Sequence, residues 1–254
     1  MLILISPAKK LNEQLDYKHT QPTFPEFLAE TNKLLTILKK FSASELSDLM
    51  KLSNELGELN QKRYQKFAAD QQAQNKLPAV LAFAGEVYNG LQAESFNESE
   101  ANYATEKLRI LSGLYGILKP YDLIEPYRLE MGTALANPSG KNLYDFWDDK
   151  ICNYLNAETD ELIVNLASTE YFKVTHPKQL NKQIITPIFK DEKNGTYKTI
   201  MMYAKKARGA MARYIIQNQL NNLEQLKQFK ELGYRYNQDL SELDNANKTL
   251  VFTR

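Results

Sequence analysis

Short, wholly apolar runs alternate along this chain with longer stretches in which apolar residues recur at helical spacing. Leu2–Ile5, bounded by Ser6-Pro7, reads as a buried strand, and residues 79–84, closed by Gly85, and residues 161–166 read the same way. Residues 183–189 and 199–203 are predicted as two strands joined by a turn at Lys193-Asn194-Gly195, a β-hairpin. Residues 234–236 and 249–254 read as edge strands or a returning tail.

The helical spacing is clearest in residues 25–41, where Phe27, Leu28, Thr31, Leu34, Leu35 and Leu38 share a face. Ser42 or Ser44 then caps a shorter helix through Met50, and Ser53 caps a third that carries Leu56, Leu59, Arg63 and Phe67. Leu46, Leu49, Leu52, Leu56 and Leu59 are the expected seam between these two helices. Residues 97–108 read as a polar helix capped by Asn97 or Ser99. Residues 142–155 are amphipathic, with Leu143, Phe146, Trp147, Ile151 and Tyr154 inward and Asp145, Asp148, Asp149 and Lys150 outward. In residues 204–220 the buried stripe is Ala207, Ala210, Met211, Tyr214 and Ile215, since each residue turns the helix by about 100°. Lys206 and Arg213 border that stripe on one line, Lys205 lies further round, and Arg208 flanks the opposite edge. Gly209 thins the same helix and suits close packing.

One stretch, residues 109–132 (RILSGLYGILKPYDLIEPYRLEMG), organises the rest. Gly113 and Gly116 end an apolar run in the manner of a strand that turns sharply. Asp122, Arg128 and Glu130 are set among Leu, Ile, Tyr and Met, so they must be paired, hydrogen-bonded or facing a cleft. A structural Arg128–Glu130 ion pair and a functional cleft both fit that requirement.

At 254 residues with a net charge of +1, one large globular domain is expected, and no global field marks nucleic acid or membrane as a partner. Any anionic polymer would have to meet positive charge concentrated locally. The single Cys152 excludes an internal disulfide and fits a reducing compartment. There is no signal-like leader and no apolar run long enough for a membrane span, so a soluble, cytoplasmic protein is expected. His19 and His176 stand in polar settings without zinc or iron spacing, and the acidic run 145–149 reads as a solvated face, so neither metal nor cofactor is expected. Cys152 beside buried Ile151 reads as inert.

Several blocks then occur in one order: ISPAK at residues 5–9, the LM-x-LS pattern at 49–60, SGLYG, PYRLEMG, NLASTEY at 165–171 and KKARGAMARY at 205–214. Together they resemble the YaaA family of bacterial peroxide-stress-resistance proteins. The resemblance covers essentially the whole chain. It implies a single α/β (mixed α+β) domain, residues 1–254, of unusual topology, with a central mixed sheet, surrounding helices and a helix-hairpin-helix-like element near residues 42–68. It further implies non-sequence-specific binding of double-stranded or branched DNA in the response to hydroperoxide, with a link to limiting intracellular iron. Such hairpins usually carry glycines where this chain has Lys51 and Ser53.

Polar residues at the ends of apolar runs supply the candidate chemistry. In the binding reading Lys9, Lys51, Ser53, Arg128, Lys205, Lys206, Arg208 and Arg213 meet phosphates, with Tyr88, Ser112, Gly113 and Ser168 lining a cleft. In the alternative, a cleft enzyme acts on a nucleotide or nucleic acid. There Asp122, Glu130 or Glu170 is the general base, and Arg128 with Arg208 clamps an anion. No recognised catalytic motif is present, and the balance falls on the side of binding.

Overall fold

The computed structural model describes residues 1–12, 22–68, 76–243 and 247–254. His19 lies outside them. The opening apolar run forms β1 (Leu2–Ile5), with all four side chains buried, and leads into the two-residue β2 (Lys10–Leu11). Next, α1 (Leu28–Leu38) buries Thr31, Leu34, Leu35 and Leu38, the face its spacing predicts. A capping box between Ser42 and Glu45 starts α2 (Ala43–Met50), and Ser53 caps α3 (Asn54–Lys66).

Residues 79–84 are not the predicted strand. After β3 (Leu77–Pro78), the chain makes a single helical turn, α4 (Ala79–Ala82), and only Phe83–Ala84 is extended, as β4. So short an apolar run carries no period, and here the Ala79 and Val80 amides are held by the carbonyls of Asp122 and Pro120 instead of a ladder. Then come α5 (Glu86–Leu91) and α6 (Glu98–Lys107), the latter started by Asn97 in a capping box with Glu100. The central stretch supplies β5 (Leu108–Ser112), β6 (Gly116–Leu118) and the short β7 (Leu123–Ile124).

The amphipathic stretch 142–155 breaks into α7 (Leu143–Trp147) and α8 (Lys150–Ala157), because Asp148 between them takes φ 41. β8 (Leu162–Asn165) follows, and Ser168 caps the four-residue α9 (Thr169–Phe172) as expected. β9 (Gln183–Lys193) turns through Asn194 and Gly195, both at positive φ, into β10 (Thr196–Lys198). That two-residue turn fixes the return strand at Thr196, so the strand predicted at 199–203 is displaced and those residues lead into α10 (Met201–Asn218). The chain ends with α11 (Leu223–Leu226), β11 (Arg235–Glu242) and β12 (Asn247–Thr253).

Eight of these strands form one mixed sheet in the order β11-β12-β9-β8-β1-β5-β6, with β10 paired to β9, while β2 pairs with β4 and β3 with β7 in two small separate sheets. The five inner strands, β12, β9, β8, β1 and β5, are mutually parallel, and the outer strands run antiparallel. A mixed α/β architecture with a central sheet is therefore what the chain adopts. β12 is an interior strand, which corrects its reading as an edge. β9 outruns β8: its pairing with β8 ends at Ile185, while its pairing with β12 continues to Lys190. Pro187 is tolerated there because it lies beyond the end of the β8 ladder.

Two clasps tie the central stretch down. A Cβ on Gly113 would lie 2.3 Å from the Leu129 carbonyl, so SGLYG and PYRLEMG meet backbone to backbone. Gly116, at φ +73, lies against the Trp147 ring, and the indole N–H donates to the Gly113 carbonyl at 3.0 Å.

The α2–α3 hairpin departs from its predicted seam. Leu46 is buried, but Leu56 and Leu59 are exposed, and α3 instead buries Gly57, Asn60 and Tyr64. The reason is a close crossing: a Cβ at Gly57 would meet Ser47 Oγ at 2.1 Å. Lys51 turns the hairpin in the left-handed region. This is a tight αα-hairpin; its residues do not by themselves mark a phosphate grip.

Candidate functional site

A parallel inner sheet places ligand-contacting groups outside the carboxyl ends of its strands. Here β1, β8 and β5 end side by side and run on into Ser6, Leu166 and Gly113. The Ser168 amide donates to Ser6 Oγ at 2.9 Å, and the two hydroxyl oxygens are 3.4 Å apart. From α5, Tyr88 reaches over and donates its hydroxyl to the Ser6 carbonyl at 3.1 Å.

Glu130 sits at this end with two cations, Lys9 at 2.8 Å and Arg128 at 3.3 Å. The Arg128–Glu130 pair that composition suggested is therefore present, joined by Lys9 from the first motif. Arg128 Nε is buried without a hydrogen-bond partner, and its backbone carbonyl accepts from the Tyr64 hydroxyl of α3. Glu170 accepts the Gly132 N–H at 2.8 Å, which ties the central stretch to the start of α9. Among the expected residues, then, Lys9, Arg128, Glu130, Ser168 and Glu170 are brought to one edge of the sheet.

Three others are supports beneath that edge. Tyr88 is 7% exposed, and burial holds its hydroxyl well above the usual tyrosine range. Ser112 is fully buried, bonded to the Tyr127 hydroxyl at 2.6 Å and accepting the Tyr115 N–H. Gly113 is closed over by Leu129. Sequence reasoning missed Ser6, Tyr127 and Tyr171, which complete this layer of hydroxyls. For Ser6 the signal was available, since it directly follows a predicted strand.

Asp122 is placed elsewhere. It is buried, accepting from Thr23 Oγ1 at 2.6 Å and from the Lys119 N–H at 2.7 Å, and it braces the turn before β7. Burial raises its carboxyl above the ordinary value despite those bonds. Asp122→Ala is expected to cost about 1–3 kcal/mol, since it strands two donors. Because the folded value is raised, the native carboxyl's contribution is fully present below the unfolded pKa of about 3.9. It is lost as pH rises through the folded value. The gap between wild type and variant should therefore widen as pH falls through that window, and paired thermal melts across it read this directly.

The basic helix makes up the second part of the site. Residues 193–213 carry six cations and no carboxylate, in a chain whose net charge is only +1. Lys205 and Lys206 are exposed, Arg208 and Arg213 half-buried, and none of the four has an acidic partner among the described residues. Burial alone lowers Arg208 from the usual arginine value. It shares the face of α10 that carries buried Ala204, Met211 and Ala212. The first turn of α10 has neither a side-chain cap nor an acidic residue.

Gly209 packs as its sequence context suggested. A Cβ there would be 1.8 Å from the Val87 carbonyl of α5, and one at Gly90 would be 2.2 Å from the Lys206 carbonyl. The helix that carries the cations is thus bolted to the helix that carries Tyr88. The first turn of α10 lies at the carboxyl ends of β9 and β12, where Arg254, just after β12, meets the Tyr203 ring and Asp191 of β9. The cationic first half of the helix therefore starts from the carboxyl-end side of the sheet, the side that holds Lys9 and Arg128. Lys51 and Ser53 lie on the α2–α3 hairpin, about 15 Å along α3 from Tyr64, at 1.5 Å per residue.

Away from this edge, Asp148 and Asp149 converge with His176, their ligand atoms all lying within 4.8 Å of one another. A histidine does join the acidic run, from a turn distant in sequence, contrary to the sequence reading. Cys152 is buried, and burial pushes its thiol up, as an inert cysteine requires. No helix among the described residues is long and apolar enough to cross a membrane. A family model described as "Peroxide stress protein YaaA" matches residues 1–240.

Proposed function

The chain belongs to the peroxide stress protein YaaA family, and from that premise we propose that it is a cytoplasmic DNA-binding protein of the hydroperoxide response. It holds the phosphate backbone of double-stranded or branched DNA without reading sequence, and it protects DNA in conditions linked to the limiting of intracellular iron. The observation that carries this reading is the carboxylate-free segment 193–213. Among the described residues Lys205, Lys206, Arg208 and Arg213 have no acidic partner, whereas Lys9, Arg109, Arg128 and Arg254 each pair with a carboxylate. Lys9 and Arg128 extend the positive character along the strand ends, and Lys51 with Ser53 supplies a more distant contact.

Binding of this kind is driven by counterion release, so affinity falls steeply with salt. Lys205→Glu combined with Arg213→Glu should reduce the slope of log K against log salt by about 2, at about 0.9 per phosphate contact, with affinity reduced on every sequence tried. An unchanged slope in the folded double variant would refute binding through this helix.

A second reading rests on a different observation, the Ser6–Ser168 hydroxyl pair beside Glu130 and Arg128. There the crevice is an active site for a nucleotide or nucleic acid, with Glu130 or Glu170 as general base and Arg128 and Arg208 as anion clamps. Asp122 fits that role poorly, because its carboxylate already braces a turn. Incubation with nucleotides and DNA followed by chromatography decides it: product that disappears in Glu130→Gln favours the enzyme.

A further inference from the structure

The start of α10 exposes apolar surface where solvent-facing helices normally show polar residues. Met201 is 58% exposed, Met202 56% and Tyr203 41%, directly before Lys205 and Lys206. Tyr203 is nonetheless held in place. The Arg254 guanidinium lies 4.7 Å from the Tyr203 ring centroid and 4.6 Å from that of Tyr234. Arg254 is itself anchored, donating from Nε to Asp191 Oδ1 at 2.6 Å, while the Tyr234 hydroxyl donates to Asp191 Oδ2 at 2.9 Å. One face of the Tyr203 ring is thus taken by a fixed cation, and the side chain stays open to solvent.

The two acids of β9 at this corner are already engaged. Asp191 is buried in the arginine–tyrosine network, and Glu192 accepts the Gly195 N–H at 2.6 Å. An exposed, pre-oriented aromatic with flexible apolar neighbours and unpaired lysines matches the demands of an unpaired nucleobase. The base needs a ring to stack on, and its flanking phosphates need cations. A protein partner would need a larger dry surface, and the lysine density favours a polyanion.

We infer that Tyr203 is a stacking platform for an unpaired base of the bound nucleic acid, with Arg254 as the positioning residue that sets its ring and Met201 and Met202 flanking the stacked base. This rests on the DNA-binding reading and adds to it a site for the base itself.

The full-length chain is titrated onto a short duplex, and onto the same duplex with one unpaired fluorescent adenine analogue. The wild type should bind the bulged duplex more tightly and quench the analogue. Tyr203→Ala should lose the quenching and about tenfold in affinity for the bulge, with duplex affinity and salt slope unchanged. Tyr203→Phe should restore both effects, and Arg254→Gln should weaken the quenching while Tyr203 remains. Wild-type binding to both duplexes without quenching or preference overturns this inference and leaves the backbone-binding reading standing. Absence of binding to either duplex overturns both. Binding to anionic lipid vesicles that is lost in Tyr203→Ala, with DNA unaffected, would assign the platform to a membrane surface and overturn it as well.

Discussion

Glu158→Ala should lower the melting temperature by about 6–20 °C, a large effect for truncating a single side chain. Its partner Arg109 is only 3% exposed, at the start of β5. The guanidinium gives Nε and Nη2 to Glu158 Oε1 at 2.9 and 2.6 Å, and Nη1 to the carbonyls of Thr105 and Leu108. Removing the carboxylate leaves a buried charge with carbonyl dipoles and the Tyr154 hydroxyl around it but no counter-charge, a loss of about 3–5 kcal/mol. A domain of this size loses about 2–4 °C per kcal/mol.

The pair itself contributes little beyond matching its own desolvation. Arg109→Met with Glu158→Leu, which replaces both charges by apolar groups, should therefore recover most of the loss. Calorimetric melts of the two variants separate a stranded charge from a generally fragile region. A Glu158→Ala melt close to wild type would show that Arg109 finds another route to solvent. The pair lies at the amino end of β5, opposite the candidate surface, so folded Glu158→Ala should keep the wild-type salt slope.

Gly209→Ala is expected to be nearly as damaging, at about 3 kcal/mol, for a reason unrelated to charge. The added methyl would lie 1.8 Å from the Val87 carbonyl and 2.9 Å from the Leu91 amide, both rigid backbone atoms. No rotamer change relieves such a contact, so α5 and α10 must separate. Tyr88 would then be pulled from the Ser6 carbonyl, and the basic helix would lose its seat on the sheet. The contrast is Gly195→Ala in the β9–β10 turn, where the glycine has φ +75 but nothing lies within 4 Å of a new Cβ. That substitution should cost only the left-handed penalty of about 1–2 kcal/mol. Chemical denaturation of both variants gives the comparison, and equal losses would contradict the close-crossing account.

Most of the secondary structure was legible because period and caps are local. The face of α1, the Asn97 and Ser168 caps, and the Asn194-Gly195 turn all follow from residues within a few positions of one another. The errors fall where local pattern is silent. Residues 79–84 are too short and uniformly apolar to carry a period, so the carbonyls of Asp122 and Pro120 decide their conformation. In α3, Leu56 and Leu59 looked like the seam, but the small Gly57 against Ser47 lets the helices cross closer on another face. Residues 199–203 read as the return strand of the hairpin, but the two-residue turn had already started that strand at Thr196.

Sequence alone determined the family, the alternation of strands and helices, and the concentration of unopposed positive charge in residues 193–213, since each is written in residue identity and spacing. Only the tertiary structure decided that Lys9, Arg128 and Glu130 form one cluster at the ends of β1, β5 and β8. It also decided that Asp122 and Ser112 are buried braces and that Tyr203 is an exposed ring gripped by Arg254. Which side chains meet depends on strand order and on helix crossings set by glycine contacts, and these join residues far apart in the chain that no local pattern connects.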